Sequence, residues 1–543
     1  MAHFYSNPVD SKTTVFKYFL GLFFLFDSFV SFGQQYQWTR TLDTNSYCYS
    51  GGIKTDSQGN VFSYGQIIGT ADVDPSAAVY NVTDSTYILK YDSNGNFLWV
   101  KTLSTSTSIA CLEFDQNGNL LLTGGLHATQ DFDFGPGQYL LYPTGLGSGF
   151  AAKLTADAEF IWAKSYTSVH DVSGSSIKSD ANNNVIVSGV FRSAVNFNPG
   201  GVSQTLDTNG AYRGFCLKLA ANGDFIWVKQ IVASDTRDSA IDSQGNIYIT
   251  GWMSNIYDTF IKKLNPQGDE IWNYELTGSS TDWIHGIEVD HNDNLIACGE
   301  ATSGIDFNPS SQINTINSNA WQFIVKFDAA GNFMWVKGIQ GYTCEDLKID
   351  ENNYIYVTGD LNWNFYYYPD TLTQILCFSV SYQAQYAISL NPQGDYYWGT
   401  NQKNNGSSNV WARMGLYGSN LYLTCVYKGN ADFNPRGSHD YATAMGPQSI
   451  YISKFDTALL SNSEFERGSI KLLNNPVGDM LYLSFDDEGD KQLGIYSVEG
   501  KLVRKQTVSG DYATIEVGGL AGGIYLIQCR SELGSMALKF VKE

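Results

Sequence analysis

The stretch YILKYDSNGNFLWVK, residues 87–101, holds two apolar runs joined by Asp92-Ser-Asn-Gly-Asn96 and closed by Trp99. Asn-Gly supplies the positive φ that a tight hairpin turn needs, and the flanking β-branched and aromatic residues favour strands. The same phrase returns along the chain, ending at Trp162, Trp227, Trp272, Trp335 and Trp398, with a shorter interval only between Trp227 and Trp272. Ahead of the phrase lies another hairpin, as at residues 52–67, where Asp56-Ser-Gln-Gly-Asn60 separates two apolar runs. Equivalent turns stand at Asp115-Gln-Asn-Gly-Asn119 and Asp242-Ser-Gln-Gly-Asn246. One repeat is therefore two hairpins, or four strands. So small a sheet cannot bury both faces alone, and the repeats must stack on one another.

Radial stacking of four-stranded blades gives an all-β propeller. Six complete units end in tryptophan strands, while a seventh begins at Gly418-Ser-Asn-Leu-Tyr-Leu and stops after residues 450–456, without its tryptophan. Conversely, Trp38 lies in YQWTRTL, residues 36–42, a tryptophan strand with no blade of its own. The economical reading is that the N-terminal strand completes the last blade. Residues 34–456 then form a seven-bladed ring with no unpaired edge at its joint.

Tight turns at one end of the strands leave the long connections at the other. Five of these carry a related element: Asp72-Val-Asp-Pro75, Asp131-Phe-Asp-Phe-Gly-Pro136, Asn196-Phe-Asn-Pro199, Asp306-Phe-Asn-Pro309 and Asp432-Phe-Asn-Pro435. Oxygen ligands two residues apart suit calcium, which makes Asp72, Asp74, Asp131, Asp133, Asp306 and Asp432 candidate ligands. Asn196 and Asn198 bring no carboxylate, however, and Asp and Asn also close turns on their own backbone. The turn is the preferred reading, and no other cofactor is expected. In the fourth blade the connection shrinks to residues 253–258, leaving a notch in the rim, and the sixth substitutes Asn364-Phe-Tyr-Tyr-Tyr-Pro369. Trp252, Trp283, Trp363, Tyr366, Tyr367 and Tyr368 cluster in these blades. Flat aromatic faces beside Asn and Asp suit an extracellular glycan or protein ligand. The competing reading is that they fill loop cores.

Across 543 residues, 16% charged and 14% aromatic side chains give a turn-rich all-β profile, and a net charge of −21 repels phosphate backbones, which excludes nucleic acid. Cys48, Cys111, Cys216, Cys298, Cys344, Cys377, Cys425 and Cys529 form no CxxC pair and read mainly as reduced core thiols. The six histidines show no HxH or HExxH spacing, and neither a Ser/His/Asp signature nor a phosphate-cradling glycine loop is present. Paired acids assembled from distant blades stay open as a catalytic alternative.

Lys17 precedes an apolar run at 18–26, and Ser31-Phe-Gly33 offers small residues before a cut, so residues 1–33 read as a signal peptide. No other segment is long and apolar enough to span a bilayer as a helix. A polar linker, 457–468, leads to residues 469–543, where six or seven short alternating strands indicate a small Ig-like β-sandwich. Its Asn475-Pro476-Val477 with Asp479 and Leu481, the hairpin at Gly500-Lys501, Leu520-Ala-Gly-Gly523-Ile-Tyr525 and the closing Lys539-Phe-Val-Lys542 stand in a fixed order. They closely resemble the type A C-terminal sorting domain of the type IX secretion system of Bacteroidetes. That resemblance implies the secretion machinery as partner, passage across the outer membrane, and release or surface attachment. The repeats, notably Ala240-Ile-Asp-Ser-Gln-Gly-Asn-Ile-Tyr-Ile-Thr-Gly-Trp252, resemble the seven-bladed β-propeller family, which brings no catalytic residues to transfer. The expectation is a secreted or surface-attached, non-enzymatic glycan- or protein-binding or adhesion module. The alternatives are a polysaccharide-acting hydrolase or lyase, or a purely structural surface component.

Overall fold

The computed structural model describes residues 35–542 apart from 254–257, 277–281, 302–303, 311, 362–363, 372–374, 379–382, 404–411, 435–438, 458–469, 473–476, 486–488, 498–500 and 532–533. The described residues contain strands and no helix. Contacts divide the chain into two compact units after Thr457. The signal segment, residues 458–468 of the linker, Trp363, Asn475, Pro476 and Gly500 lie outside the described residues.

Among the described residues of the larger unit seven antiparallel sheets of four or more strands follow in chain order, beside one two-stranded hairpin, Gln130–Asp131 with Leu140–Leu141. The first of the seven is built from Cys48–Thr55, Val61–Asp72, Asn81–Tyr91 and Phe97–Ser104. The first strand of each sheet touches the first strand of the next. The circuit runs from Cys48–Thr55 through Thr107–Phe114, Val172–Ser179, Asp235–Ile241, Trp283–Val289 and Asp346–Ile349 to Arg413–Tyr417, which returns to Cys48–Thr55. The result is a closed propeller of seven blades. Its last sheet is Arg413–Tyr417, Asn420–Tyr427, Ser449–Asp456 and, as the fourth strand, Gln35–Leu42. Trp38 stands opposite Lys454 just as Trp99, Trp162, Trp227, Trp272 and Trp335 stand opposite Lys90, Lys153, Lys218, Lys263 and Lys326. The N-terminal strand thus enters the ring in the register of every other tryptophan strand.

The repeated phrase is an inter-blade clamp. Gly95 has a φ of +77°, and a Cβ there would lie 3.1 Å from Trp38 of the preceding blade. Gly223, Gly268, Gly331 and Gly394 stand in the same way against Trp162, Trp227, Trp272 and Trp335. Glycine is required twice over, by the left-handed turn and by the indole lying on it. In every blade but the sixth, where Ser389 stands opposite Trp398, a lysine opposite the tryptophan reaches the same turn: Lys153 Nζ donates to Ala221 O at 3.3 Å, Lys263 to Ala329 O at 2.8 Å, and Lys454 to Ser93 O at 2.8 Å. Beneath it the first-hairpin aspartate pairs with that lysine, as in Lys153–Asp115 at 2.6 Å and Lys326–Asp290 at 2.8 Å. Asp115 also accepts the amides of Asn117 and Asn119, so one carboxylate closes a turn and orients the clamp.

Four strands per blade understates three of the sheets. Val195–Asn196 with Thr205–Leu206 adds to the outer strand of the second blade, Phe365–Tyr368 with Ile375–Phe378 to the fifth, and Asn430–Asp432 with Tyr441–Thr443 to the sixth. Each of these three connections folds as a hairpin across the preceding blade and satisfies part of an edge that would otherwise be bare. No disulfide joins the eight cysteines, of which Cys48, Cys216, Cys298, Cys344, Cys425 and Cys529 are buried.

The smaller unit packs two sheets, Ile470–Leu472, Met480–Phe485 and Tyr512–Glu516 in one, Leu502–Val508, Lys491–Ser497, Gly523–Ser531 and Gly534–Lys542 in the other. Their shared core includes Val477, Leu481, Ile515, Tyr525 and Phe540. Val477 N donates to Val541 O at 2.7 Å, and Tyr525 stacks on Phe540 at 5.6 Å. Ser497 N donates to Lys501 O at 2.9 Å, closing the hairpin of the Gly500-Lys501 element. Gly523 opens the strand that carries Tyr525. The described signature residues, distant in sequence, are therefore neighbours that hold one sandwich together.

Candidate functional site

The proline loops resolve into one repeated turn. Asp72 Oδ1 accepts the amides of Asp74 (3.1 Å) and Tyr80 (2.9 Å), and Asp131 Oδ1 those of Asp133 (3.0 Å) and Tyr139 (2.8 Å). Asp306 Oδ1 accepts from Asn308 and Asn314, and Asp432 Oδ1 from Asn434 and Asp440, at the same offsets. Asn196 Oδ1 does likewise for Asn198 and Gln204, so the amide oxygen alone performs this role. Asp74 and Asp133 each cap a further amide, of Ser76 and Gly135. In Asp72, Asp74, Asp131, Asp133, Asp306 and Asp432 one carboxylate oxygen, Oδ1, is thus aimed at backbone N–H donors. Among the described residues no group of three or more His, Cys, Asp or Glu is disposed to hold a metal.

Around the axis, near the tight-turn face, charged side chains alternate in sign. Glu113 lies 2.7 Å from Lys54 and 3.3 Å from Lys178, while Lys348 lies 3.0 Å from Glu288 and 2.8 Å from Asp346. Burial by itself raises the Glu113 carboxyl, but Lys54 and Lys178 overcome it and hold the group at about 2. For Glu288 too, burial raises the carboxyl and Lys348 and Lys178 outweigh it, with a net lowering. Asp238 accepts from Ser176 Oγ at 3.1 Å and Ile287 N at 3.2 Å. Glu113, Glu288 and Asp346 thus each face a lysine, and the pairs Lys54–Glu113, Lys178–Glu113 and Lys348–Glu288 join different blades.

At the opposite mouth the first strands carry a β-bulge, skipping Gly51, Ala110, Ser175, Arg237 and His285 in the first five blades. A bulge re-aims one side chain out of the ladder. In three blades that residue is small, whereas in the fourth and fifth it is Arg237 and His285. Arg237 is exposed, and its guanidinium lies 4.6 Å from the Trp252 ring centre and 5.8 Å from that of Trp283. The two half-buried indoles are 4.7 Å apart with planes inclined by 39°. His285 lies 5.6 Å from Trp283 and 3.5 Å from Glu300, which is opposite Trp283 in the ladder. Burial raises the Asp235 carboxyl, partly offset by Arg237. Two aromatic faces, a cation and two acidic groups thus share one mouth on neighbouring blades.

Of the aromatic residues singled out in the sequence, Trp252 and Trp283 meet here. Tyr367 and Tyr368 do not: both are buried, Tyr368 donating to Gln340 Oε1 at 2.7 Å and Tyr367 to Gly394 O. They belong to Phe365–Tyr368, the strand docked on the fifth blade, where the inward positions fill the space beside the ladder. Tyr366 is half-buried and packs against the fifth-blade core. Arg237, His285 and Glu300 escaped the sequence reading. A signal existed: five residues before the first-turn aspartate stand Gly51, Ala110 and Ser175, then Arg237, His285 and Glu345.

Residues 473–543 match the family described as the secretion system C-terminal sorting domain. The chain is 23% identical over 413 residues to an uncharacterized WD repeat-containing protein, L264, of Acanthamoeba polyphaga mimivirus, covering 60% of this chain and 29% of that protein. It therefore spans less than a third of that relative's length. Among solved structures it is similar to the Dos1 propeller (TM-score 0.42, 7% identity, 78% of this chain and 96% of that one). It is also similar to the WD40 β-propeller domain of Doa1 (TM-score 0.29, 13% identity, 60% and 93%). A protein of unknown function from Bacteroides caccae gives a TM-score of 0.32 at 10% identity, over 59% and 92%. With its repeats closed into a propeller and a sorting domain at residues 473–543, the chain is a type IX secretion substrate that is secreted or attached to the cell surface.

Proposed function

We propose that the propeller is a non-enzymatic binding module whose recognition surface is the Arg237–Trp252–Trp283 mouth, with an extracellular glycan as ligand. One observation carries this reading: an exposed guanidinium spread over two half-buried indoles, 4.6 and 5.8 Å from their centres. Stacking offers an apolar platform for a sugar face, and Arg237 with Glu300 supplies donors and acceptors that orient its hydroxyls. The paired carboxylates around the axis favour binding over acid–base chemistry.

Glycan arrays followed by calorimetry on the full chain test this. Arg237→Ala and Trp283→Ala should each weaken the strongest hit about thirtyfold, the equivalent of roughly 2 kcal/mol at a central contact. Their melting temperatures should stay near wild type, because both residues sit outside the inter-blade clamps. Undiminished affinity in both folded variants would place recognition elsewhere. Hits confined to proteins would replace the glycan with a protein ligand at the same mouth.

A further inference from the structure

On the tight-turn face the blades are stitched by one more repeated contact. Gln116 N in the second blade donates to Asn183 Oδ1 in the third at 2.8 Å. Ser243 N donates to Asp293 Oδ1 and His291 N to Asn353 Oδ1, both at 2.8 Å, joining the fourth to the fifth blade and the fifth to the sixth. In each case the amide one residue after the first-turn aspartate meets a side chain three residues after the next blade's aspartate. Those acceptor residues hold left-handed backbone, with φ of 60°, 62° and 64° for Asn183, Asp293 and Asn353, a conformation Asn and Asp tolerate. Between the third and fourth blades the acceptor's place is taken by Gly245, at φ +77°, so Ala181 faces a residue without a side chain.

A cavity of about 470 Å³ opens at that seam. Trp227, Ile226 and Pro266 form an apolar wall, and Asn182, Gln244 and Gln267 bring amide side chains to its rim. Its two charged residues cancel, because Lys218 Nζ lies 2.9 Å from Asp180 Oδ2. The volume falls within the roughly 300–1,000 Å³ typical of small-molecule sites. A neutral ligand with one apolar face and a girdle of hydroxyls matches this lining: amide groups offer paired donors and acceptors to neighbouring hydroxyls, and the indole accepts the C–H face of the ring. We infer that the seam between blades three and four binds a neutral pyranose sugar, free or at the end of a chain. This site lies at the opposite end of the strands from the Arg237 mouth and does not rest on it.

Gly245→Asn is the decisive variant. A Cβ at Gly245 would meet only Pro266, at 3.5 and 4.0 Å, and asparagine already occupies the equivalent left-handed place in two other blades. The substitution should keep the fold, supply the missing seam acceptor and fill the cavity. Gly118→Asn, where a Cβ would meet nothing within 4 Å, is the matched control at the seam of the first and second blades. Saturation-transfer NMR on the full chain, with the methyl glycosides of glucose, galactose, mannose and N-acetylglucosamine as probes, should show transfer to at least one sugar. Affinity should fall about tenfold or more in Gly245→Asn and stay unchanged in Gly118→Asn. Competition by oligosaccharides as effective as by the methyl glycoside would assign a chain end, and competition by the monosaccharide alone a free sugar. No transfer to any of the four probes, equal binding by folded Gly245→Asn, or equal loss in both variants would each overturn the inference.

Discussion

Replacing Trp38 by alanine tests the closure of the ring at its joint. Trp38 belongs to Gln35–Leu42, lies against Gly95 of the first blade, packs beside Tyr422 at 6.1 Å and carries Arg40 at 5.2 Å over its ring. Truncating a fully buried tryptophan costs about 3–5 kcal/mol. Trp38 is only half-buried and its Nε1–Ser93 O contact is long, at 3.4 Å, so the polar share is small. Loss of the cation–π contact adds roughly 0.5–1 kcal/mol. The working expectation is a loss of about 2–3 kcal/mol, obtained by scaling the buried value for partial exposure. Trp162→Ala is the comparison: it holds the same place in the second blade, is only 6% exposed, and should lose the full buried amount. Urea unfolding followed by far-UV circular dichroism reads both without depending on the removed fluorophore. If Trp38→Ala unfolds at the wild-type midpoint while Trp162→Ala does not, the N-terminal strand is not part of the ring's load path and the shared last blade is wrong.

The axial charges predict an acid-sensitive ring. Glu113 is depressed from 4.5 to about 2, so its stabilisation is full above the ordinary value and is lost as pH falls through about 2; the shift corresponds to on the order of 3 kcal/mol. Glu113→Gln should therefore be less stable than wild type at pH 6, with the gap closing towards pH 2, and a pH-independent gap in denaturation midpoints would refute the pairing. At the proline loops, Asp306→Asn should be nearly neutral, and Asp306→Ala should cost about 1–3 kcal/mol for two amides left without an acceptor. Chelation should leave the wild-type melting temperature unmoved, and a drop reversed by calcium would restore the metal reading. Deleting residues 469–543 should leave a folded propeller retained within the cell envelope, and fractionation that finds it at normal surface or medium levels would contradict sorting by this domain.

The ring was legible because its determinants are local and repeated. Asp92, Gly95 and Trp99 form a turn and a closing indole within a few residues, and the orphan Trp38 matched the missing strand of the last blade. The proline loops were legible in part: their spacing showed a common element, and Asn196 argued that no carboxylate was needed. What stayed hidden depends on register and partner. Tyr367 and Tyr368 read as rim aromatics because nothing in NFYYYP reveals that the segment pairs with Gly338–Gln340 of another blade. Arg237 and His285 face the mouth because a bulge rotates them out of alternation, and period-two reasoning assigns no direction to a bulged residue. The lysine opposite each tryptophan was visible in every phrase but one. Its partner, a carbonyl on the following blade, is set by stacking and by no adjacent residue.

The last blade also bears on timing. Thr39 and Ser453 exchange a hydrogen bond of 2.6 Å across a sequence separation of 414 residues, and Lys454 reaches back to Ser93. Contacts between residues so far apart carry a loop-closure cost that is met before they return any stability, which slows the step that forms them. Six blades can assemble from neighbouring chain as it becomes available, each clamped to the next. The seventh waits until residues 449–456 exist and the first strand has found them. Until then Ser449–Asp456 presents an open edge and the first blade's turn lacks its tryptophan. Resistance to unfolding is therefore acquired late and as a single event, so the interval before closure is when the chain is most exposed to proteases and to pairing with other strands.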